Sequence, residues 1–347
     1  MSLRFNTLGD GALRVSELCL GTMTFGQQNT RQQAHAQLDR AFDFGINFVD
    51  AAEMYPVPPR AETQGRTEEF LGAWLATRTR SEVILATKAA GPRRPIDWVR
   101  GGNLAYTREN VQRAVEDNLR RLKTDYIDLY QFHWPDRYVP QFGDVAYEPE
   151  REVPSTSTEE QLEAIANVIK QGKVRHWGVS NETAWGVTEF SRVAERIGAP
   201  KPISIQNAYN LLNRHYDSAL AEATRHERIG LLAYSALAFG LLSGKHESGP
   251  APDSRFALFD GFGARYRKPN VDEAVSAYVA LAREHGLRPA QLALAFVRSR
   301  WFVTSTIIGA TTLEQLEENL GSVDVTLTPE LLAQVDAIHA RYPNPAP

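Results

Sequence analysis

Leu18-Cys-Leu-Gly21-Thr-Met-Thr24 is the stretch on which the fold turns. A short apolar run ends there, and the turn that follows it has no second or third glycine. A doubly wound sheet would normally leave its first strand through a G-x-G-x-x-G turn that cradles a phosphate. Here Gly21-Thr22-Met23-Thr24 stands in that place. Outward from this point the same unit recurs, an apolar run followed by a helical pattern. The further runs cover 46–50, 83–88, 127–133, 174–180, 203–206, 231–235 and 302–309. With 18–21 they make eight, each short and apolar on both faces, as parallel strands covered by helices are. Eight such alternations close most naturally into an α/β fold of the (β/α)8 TIM-barrel type.

The helical stretches near 30–44, 67–77 and 107–122 carry start signals. Thr107 precedes Val111, Val115, Leu119 and Leu122, which share one helix face. Thr158 with Gln161, and Thr311 with Glu314, have capping-box spacing. Thr328-Pro329 opens a last amphipathic helix with Leu331, Leu332, Val335 and Ile338. Residues 4–16 precede the first barrel strand, and Gly9-Asp10-Gly11 suggests a hairpin that plugs the barrel bottom. Long loops are expected at 56–66, 91–106, 134–157 and 244–270, at the C-terminal face. The tail, 342–347, holds three prolines and cannot continue a helix. It either folds back near the mouth or frays.

The 347 residues are 43% hydrophobic, enough for a sizeable core in one domain spanning 1–347. The formal charge of −4, with basic residues scattered, argues against a nucleic-acid or membrane partner. The lone Cys19 rules out an intrachain disulfide and any Cys-based metal site, and it reads as a small buried hydrophobe. Residues 1–10 contain no apolar leader core, and no run approaches 18 apolar residues. A soluble, cytoplasmic protein is expected.

Asp50, Lys88, His133, Ser180 with Asn181, Gln206 and Tyr234 each stand where an apolar run stops. In a (β/α)8 barrel those ends converge on the C-terminal mouth, where active sites lie. One Asp or Lys at a strand end is usually a cap, and a lone His is usually a satisfied core residue. Six ends aimed into one mouth are hard to explain as solvation. Their chemistry suits carbonyl reduction with a hydride cofactor. Tyr55, five residues after Asp50, can reach over the mouth as the proton donor. A free tyrosine titrates near ~10, and a neighbouring Lys88 ammonium is expected to lower that value. Asp50 can pair with Lys88, and His133 can donate to the carbonyl oxygen as charge develops there.

Other motifs are weak. Gly240-Leu-Leu-Ser-Gly244-Lys245 is one residue short of a phosphate-binding loop, and His246 replaces its Ser/Thr. Gly261-Phe-Gly263 follows no strand, and no His/Asp/Glu cluster has metal-ligand spacing, so no metal is expected.

These residues resemble the aldo-keto reductase family. The matching segments, in the family's order, are Leu20-Gly-Thr-Met-Thr-Phe-Gly26, Asp50-Ala-Ala-Glu-Met-Tyr55, the strand ending at Lys88, and Asp125-Tyr-Ile-Asp-Leu-Tyr-Gln-Phe-His133. Then follow Gly178-Val-Ser-Asn181, Ser204-Ile-Gln206-Asn207, Tyr234-Ser-Ala-Leu, and Ile308-Gly-Ala-Thr-Thr-Leu-Glu-Gln-Leu-Glu-Glu-Asn319. Glu53-Met-Tyr-Pro-Val-Pro-Pro-Arg60 and the insert after His133 look most like the bacterial Tas-type reductases. The branch related to potassium-channel β subunits is also similar.

The resemblance implies a catalytic tetrad of Asp50, Tyr55, Lys88 and His133. It also implies NADP(H) across the mouth. Ser180, Asn181 and Gln206 would hold the carboxamide, Tyr234 would stack on the nicotinamide, and Gly21, Thr22, Met23 and Asp50 would lie beneath it. Ser235, Ala236, Leu237, Gly240 and Leu242 would wrap the diphosphate with Lys245 nearby, and Gly309, Thr311, Gln315, Glu318 and Asn319 would hold the adenosine. Many members bind the 2′-phosphate with a Lys and an Arg in this last motif, where Gly309 and Gln315 stand here. The channel-related branch uses an Arg after the seventh strand, a distance matched by Arg255, which favours NADPH over NADH.

Phe25, Trp98 and Trp134, with Met23, are expected to shape the substrate pocket, which suits aromatic or aliphatic carbonyls better than highly charged ones. The expected partner is a small-molecule carbonyl compound. Channel-related members assemble as tetramers or octamers, so the resemblance also allows a homo-oligomer. A redox-sensing regulatory subunit is the alternative function, and a metal-dependent barrel hydrolase is disfavoured by the missing ligand cluster.

Overall fold

The computed structural model describes residues 3–247 and 249–347. Strands β1 (Phe5–Leu8) and β2 (Leu13–Ser16) form an antiparallel hairpin with Leu8 opposite Leu13. Eight parallel strands follow: β3 (Leu18–Gly21), β4 (Phe48–Asp50), β5 (Ile84–Ala89), β6 (Ile127–Phe132), β7 (Val174–Ser180), β8 (Ser204–Ala208), β9 (Gly230–Tyr234) and β10 (Val303–Ile308). They close into a barrel in chain order, with β10 beside β3. All eight expected strands are present. Helices α1 (Arg31–Phe44), α2 (Arg66–Leu75), α3 (Arg108–Leu122), α4 (Thr158–Lys170), α5 (Ala184–Ile197) and α6 (Ala219–Glu227) alternate with them. After β9 come the short α7 (Arg255–Leu258), then α8 (Val271–Glu284) and α9 (Pro289–Ser299). Helices α10 (Leu313–Leu320) and α11 (Pro329–Arg341) end the chain. Among the described residues no helix is long and apolar enough to cross a membrane.

The barrel interior has two halves. Cys19, Phe48, Ala86, Leu129 and Leu232 pack together at its lower end, with Leu8, Leu13 and Val15 of the hairpin in the same cluster. The hairpin is therefore the floor of the barrel core, as its sequence position suggested. Side chains two residues apart on a strand share a face. Asp50 thus stands above Phe48, Lys88 above Ala86, Gln131 above Leu129 and Tyr234 above Leu232. Apolar chemistry below and polar chemistry at the C-terminal mouth follow from one alternation. The outward positions Leu20, Val49, Leu85, Tyr130, Trp177 and Leu231 join the larger core beneath the helices. At the top of β3 only glycine fits, since a Cβ on Gly21 would lie 2.7 Å from Ile307 Cγ2.

Two helix starts differ from expectation by one residue. Ser157, not Thr158, caps α4, its hydroxyl accepting from Glu160 N at 3.2 Å. Thr312, not Thr311, caps α10 and accepts from Gln315 N at 3.2 Å. In each case two hydroxyl residues are adjacent, and the spacing rule does not separate them. Thr107 and Thr328 cap α3 and α11 as expected. The tail is docked rather than frayed: Ala346 N donates to Leu212 O (3.1 Å), and Asn344 Oδ1 accepts from Arg214 N (2.6 Å). Both partners lie on the loop after β8.

Candidate active site

Register assembles the centre of the mouth. Asp50 pairs with Ala86, Lys88 pairs with Gln131, and Ser180 pairs with Gln206. Lys88 is fully buried. Its Nζ donates to Asp50 Oδ2 (2.5 Å) and to the Ala51 carbonyl (2.7 Å). The other carboxylate oxygen of Asp50 accepts from Gln206 Nε2 (2.9 Å) and Gln131 Nε2 (3.2 Å). Burial works against the lysine charge most strongly, yet Asp50 and Tyr55 outweigh it and hold the ammonium above its ordinary value. A cation so deep in the barrel persists because both it and its partner are satisfied.

Tyr55 comes from the loop after β4. Tyr55 N donates to Ala52 O (3.0 Å), Gly65 N donates to Tyr55 O (2.9 Å), and Val57 N donates to Met23 O (2.9 Å). The peptide bonds Tyr55-Pro56 and Val57-Pro58 are cis. Lys88 Nζ lies 5.1 Å from the centre of the phenol ring, and the His133 ring meets it edge-on at 5.7 Å. One expectation is corrected here. Lys88 does pull the phenol toward ionisation, but desolvation of the hydroxyl is the larger influence, and the net shift is upward from the ordinary tyrosine value. At rest Tyr55 is a firmly protonated acid.

His133 follows β6, and its N–H donates to Ala89 O at 3.0 Å, extending the strand pairing. Burial, then Lys88, then Arg94, holds the imidazole well below its ordinary value, so it is neutral. Its Nδ1 is buried with no hydrogen-bond partner among the described residues. A neutral imidazole with a free valence beside a phenol and an ammonium can polarise a carbonyl.

The expected cofactor residues flank this centre. Ser180 Oγ donates to Gln206 O (2.7 Å), Asn181 Nδ2 to His133 O (2.8 Å), and Tyr234 Oη to Asn181 Oδ1 (2.6 Å). Asn181 is left-handed at φ 53°, which turns its side chain back to β6. Thr22 Oγ1 donates to Asp50 O (2.8 Å). Beyond Tyr234 the chain doubles back through left-handed Ser235, Ala238, Phe239 and Gly240, with Ala236 and Leu242 buried.

At the far end, Thr311 N and Oγ1 both donate to Gln315 Oε1 (3.0 and 3.1 Å), and Asn319 Nδ2 donates to Gly309 O (3.1 Å). Between these ends stand Lys245 and Arg255, which make no ion pair among the described residues. The charge of Lys245 is coupled to Arg255 on one side and Glu318 on the other. The Arg255 guanidinium lies 4.1 Å from the centre of the Phe239 ring, with Nη1 3.4 Å from Met23 Sδ. Burial pushes its pKa down to about 10. A desolvated Arg255 and a more exposed Lys245, neither in an ion pair among the described residues, and open space where a Cβ on Gly309 would project, fit an anionic dinucleotide.

The expected pocket residues divide. Phe25 is fully buried in the core and has no free surface. Trp98 is 40% exposed, and among the described residues no ring contact joins it to the site. Trp134 is buried among Ala90, Ile96, Val99 and Leu104, its Nε1 donating to Pro92 O (2.8 Å). Its ring is tilted against that of His133, with centroids 4.9 Å apart.

Residues that sequence reading did not single out also matter. Gln131 completes the Asp50 cage. Glu53 and Arg100 form a buried ion pair (2.9 Å), and Glu53 also accepts from Ala90 N, which ties the Tyr55 loop to the loop after β5. Only Gln131 had a usable signal, its place two residues before His133 on the inward face.

The fold and site together are a closed (β/α)8 barrel with an acid–lysine pair, a tyrosine and a histidine at its mouth. The chain belongs to the Aldo/keto reductase family, whose sequence profile matches residues 17–340. It is an oxidoreductase of that family. It is 47% identical to Protein tas of Escherichia coli (strain K12) over 347 residues, 99% of this chain and 100% of that protein. It is 32% identical to the uncharacterized oxidoreductase YrpG of Bacillus subtilis, over 99% of this chain and 97% of that one. A probable voltage-gated potassium channel subunit beta from Oryza sativa subsp. japonica is 33% identical, over 99% and 98%.

Proposed function

We propose that the chain reduces aldehyde or ketone carbonyls to alcohols using NADP(H), with Tyr55 as the proton donor. The convergence of Tyr55, Lys88 and His133 over the buried Asp50 carries this reading. The chemistry that the nicotinamide would supply is a hydride to the carbonyl carbon. His133 donates to the carbonyl oxygen and draws charge onto it. Tyr55 then gives that oxygen its proton, and the Lys88 ammonium stabilises the phenolate left behind until water reprotonates it. Asp50, held by two amides, keeps Lys88 aimed at the ring. Oxygen and carbon each gain one hydrogen, and the product is the alcohol. The test is aldehyde-dependent oxidation of NADPH with 4-nitrobenzaldehyde; its absence would remove the enzyme reading. The similarity to a channel β subunit supports a second reading, a nucleotide-binding regulatory subunit, which tight NADPH binding without turnover would favour.

The two shifted groups set the pH profile. The His133 imidazole is neutral above a value well under 6.5, and Tyr55 keeps its proton up to a value above 10.0. Reduction needs both of these forms. The kcat/KM for reduction is therefore expected to stay flat between those two ordinary values, falling below that span as His133 gains a proton and above it as Tyr55 loses one. A steep limb near neutrality would show that one of the two assignments is wrong.

Arg255 bears on the cofactor. If its guanidinium meets the 2′-phosphate, Arg255→Ala should raise the NADPH KM about 10–100-fold, the range of a charged hydrogen bond. The NADH KM should move far less. Equal effects would mean that Arg255 serves a part of the cofactor shared by both.

A further inference from the structure

Two further guanidinium groups, Arg94 and Arg265, stand at the mouth and have no proton-transfer role above; Arg265 also lies 5.7 Å from the Phe239 ring on which Arg255 packs. Arg94, on the loop after β5, lies 5.7 Å from the Trp134 ring centre and 4.2 Å from that of Phe142. Arg265 lies 5.8 Å from the same Phe142 ring, and its Nη2 is 3.4 Å from Ser235 Oγ. The Trp134 ring also touches His133, at 4.9 Å, so a single indole separates Arg94 from the imidazole that faces the carbonyl. The charge of Arg94 is felt by both His133 and Tyr234. Its direct polar contact is Gln141 Oε1, at 3.3 Å. Among the described residues no carboxylate lies within 4 Å of Arg94 or Arg265. The acid whose charge Arg94 senses, Asp144, is paired with Arg151 at 3.5 Å.

A guanidinium held between two aromatic rings, partly desolvated and without an anion, offers a planar fork that matches a carboxylate. Its position beside Trp134 and His133 points to a substrate group rather than the cofactor phosphates. Arg255 and Lys245 already stand along the groove toward Glu318, whereas Arg94 stands beside His133. The indole face expected to form an apolar pocket wall is roofed by this cation.

Building on the carbonyl-reduction reading, we infer that the substrate is an oxo acid, with its carbonyl between Tyr55 and His133 and its carboxylate on Arg94. Arg265 is the second cation of that rim and raises the local positive potential. Arg94 determines specificity and takes no part in proton transfer.

The test compares 3- and 4-carboxybenzaldehyde with their methyl esters, which keep the aldehyde and lose the charge. Wild-type protein should prefer at least one acid over its ester about tenfold or more in kcat/KM, chiefly through KM. Arg94→Ala should bring that ratio down to about one or below, and Arg94→Lys should restore part of it. The ratio cancels any general loss of folded protein or of His133 polarisation. A wild-type ratio near one, or a ratio that Arg94→Ala leaves in place, overturns the assignment while carbonyl reduction stands. Turnover of none of the four aldehydes overturns the oxo-acid assignment, and absence of turnover of 4-nitrobenzaldehyde as well overturns carbonyl reduction. The Kd for NADPH, from nucleotide fluorescence, separates the two anion sources. A rise of about tenfold in Arg94→Ala would give Arg94 to the cofactor and defeat the proposal, whereas a change within about twofold supports it.

Discussion

Tyr55→Phe is expected to lower kcat for 4-nitrobenzaldehyde about 10²–10⁴-fold, the usual contribution of a positioned general acid. The phenyl ring keeps the edge contact with His133 and its place over Lys88. Lys88 retains both of its acceptors, Asp50 and Ala51, when the hydroxyl is removed. The melting temperature should therefore move little, and the loss should fall on kcat rather than on KM. Steady-state kinetics beside a thermal melt reads both. Equal activity in variant and wild type would take the proton-donor role away from Tyr55.

Lys88→Met should damage fold and chemistry together, for separable reasons. Methionine matches the length of the chain but leaves Asp50 buried with two amide donors and no cation. Breaking one side of a buried pair typically costs ~3–5 kcal/mol, readable as a lower urea midpoint at unchanged slope. Removing both charges is often close to neutral for stability, so Asp50→Asn/Lys88→Met should recover most of the midpoint. Activity should not return with it, because the phenolate left by proton transfer still lacks its counter-charge. Recovery of activity in the double variant would reduce Lys88 to a scaffold.

The barrel was legible because its signal is periodic. Each strand is a short apolar run, and the polar residue that ends it marks the mouth, which is why Asp50, Lys88 and His133 could be singled out together. Gln131 obeys the same two-residue period but sits inside its run, between Tyr130 and Phe132, where it resembles an interruption rather than an end. Arg94 and Arg265 come from long loops, whose path follows tertiary contacts such as the Glu53–Arg100 pair and not local sequence. Phe25, expected in the pocket, is instead directed into the core by the turn after β3. The tyrosine shift had the opposite sign for a similar reason. Sequence supplied the neighbouring charge, while the desolvation that outweighs it depends on how closely the loop packs.

Carbonyl reduction is tested most directly by following the transferred atom. Wild-type protein would be given 4-nitrobenzaldehyde and NADPH carrying deuterium at the reactive nicotinamide carbon, as each of the two epimers, and the products examined by mass spectrometry and proton NMR. The expected result is 4-nitrobenzyl alcohol with one deuterium on its benzylic carbon from one epimer and none from the other, one alcohol for each NADPH consumed. Unchanged aldehyde beside bound, unoxidised nucleotide would contradict carbonyl reduction, as would alcohol whose benzylic hydrogen came from solvent.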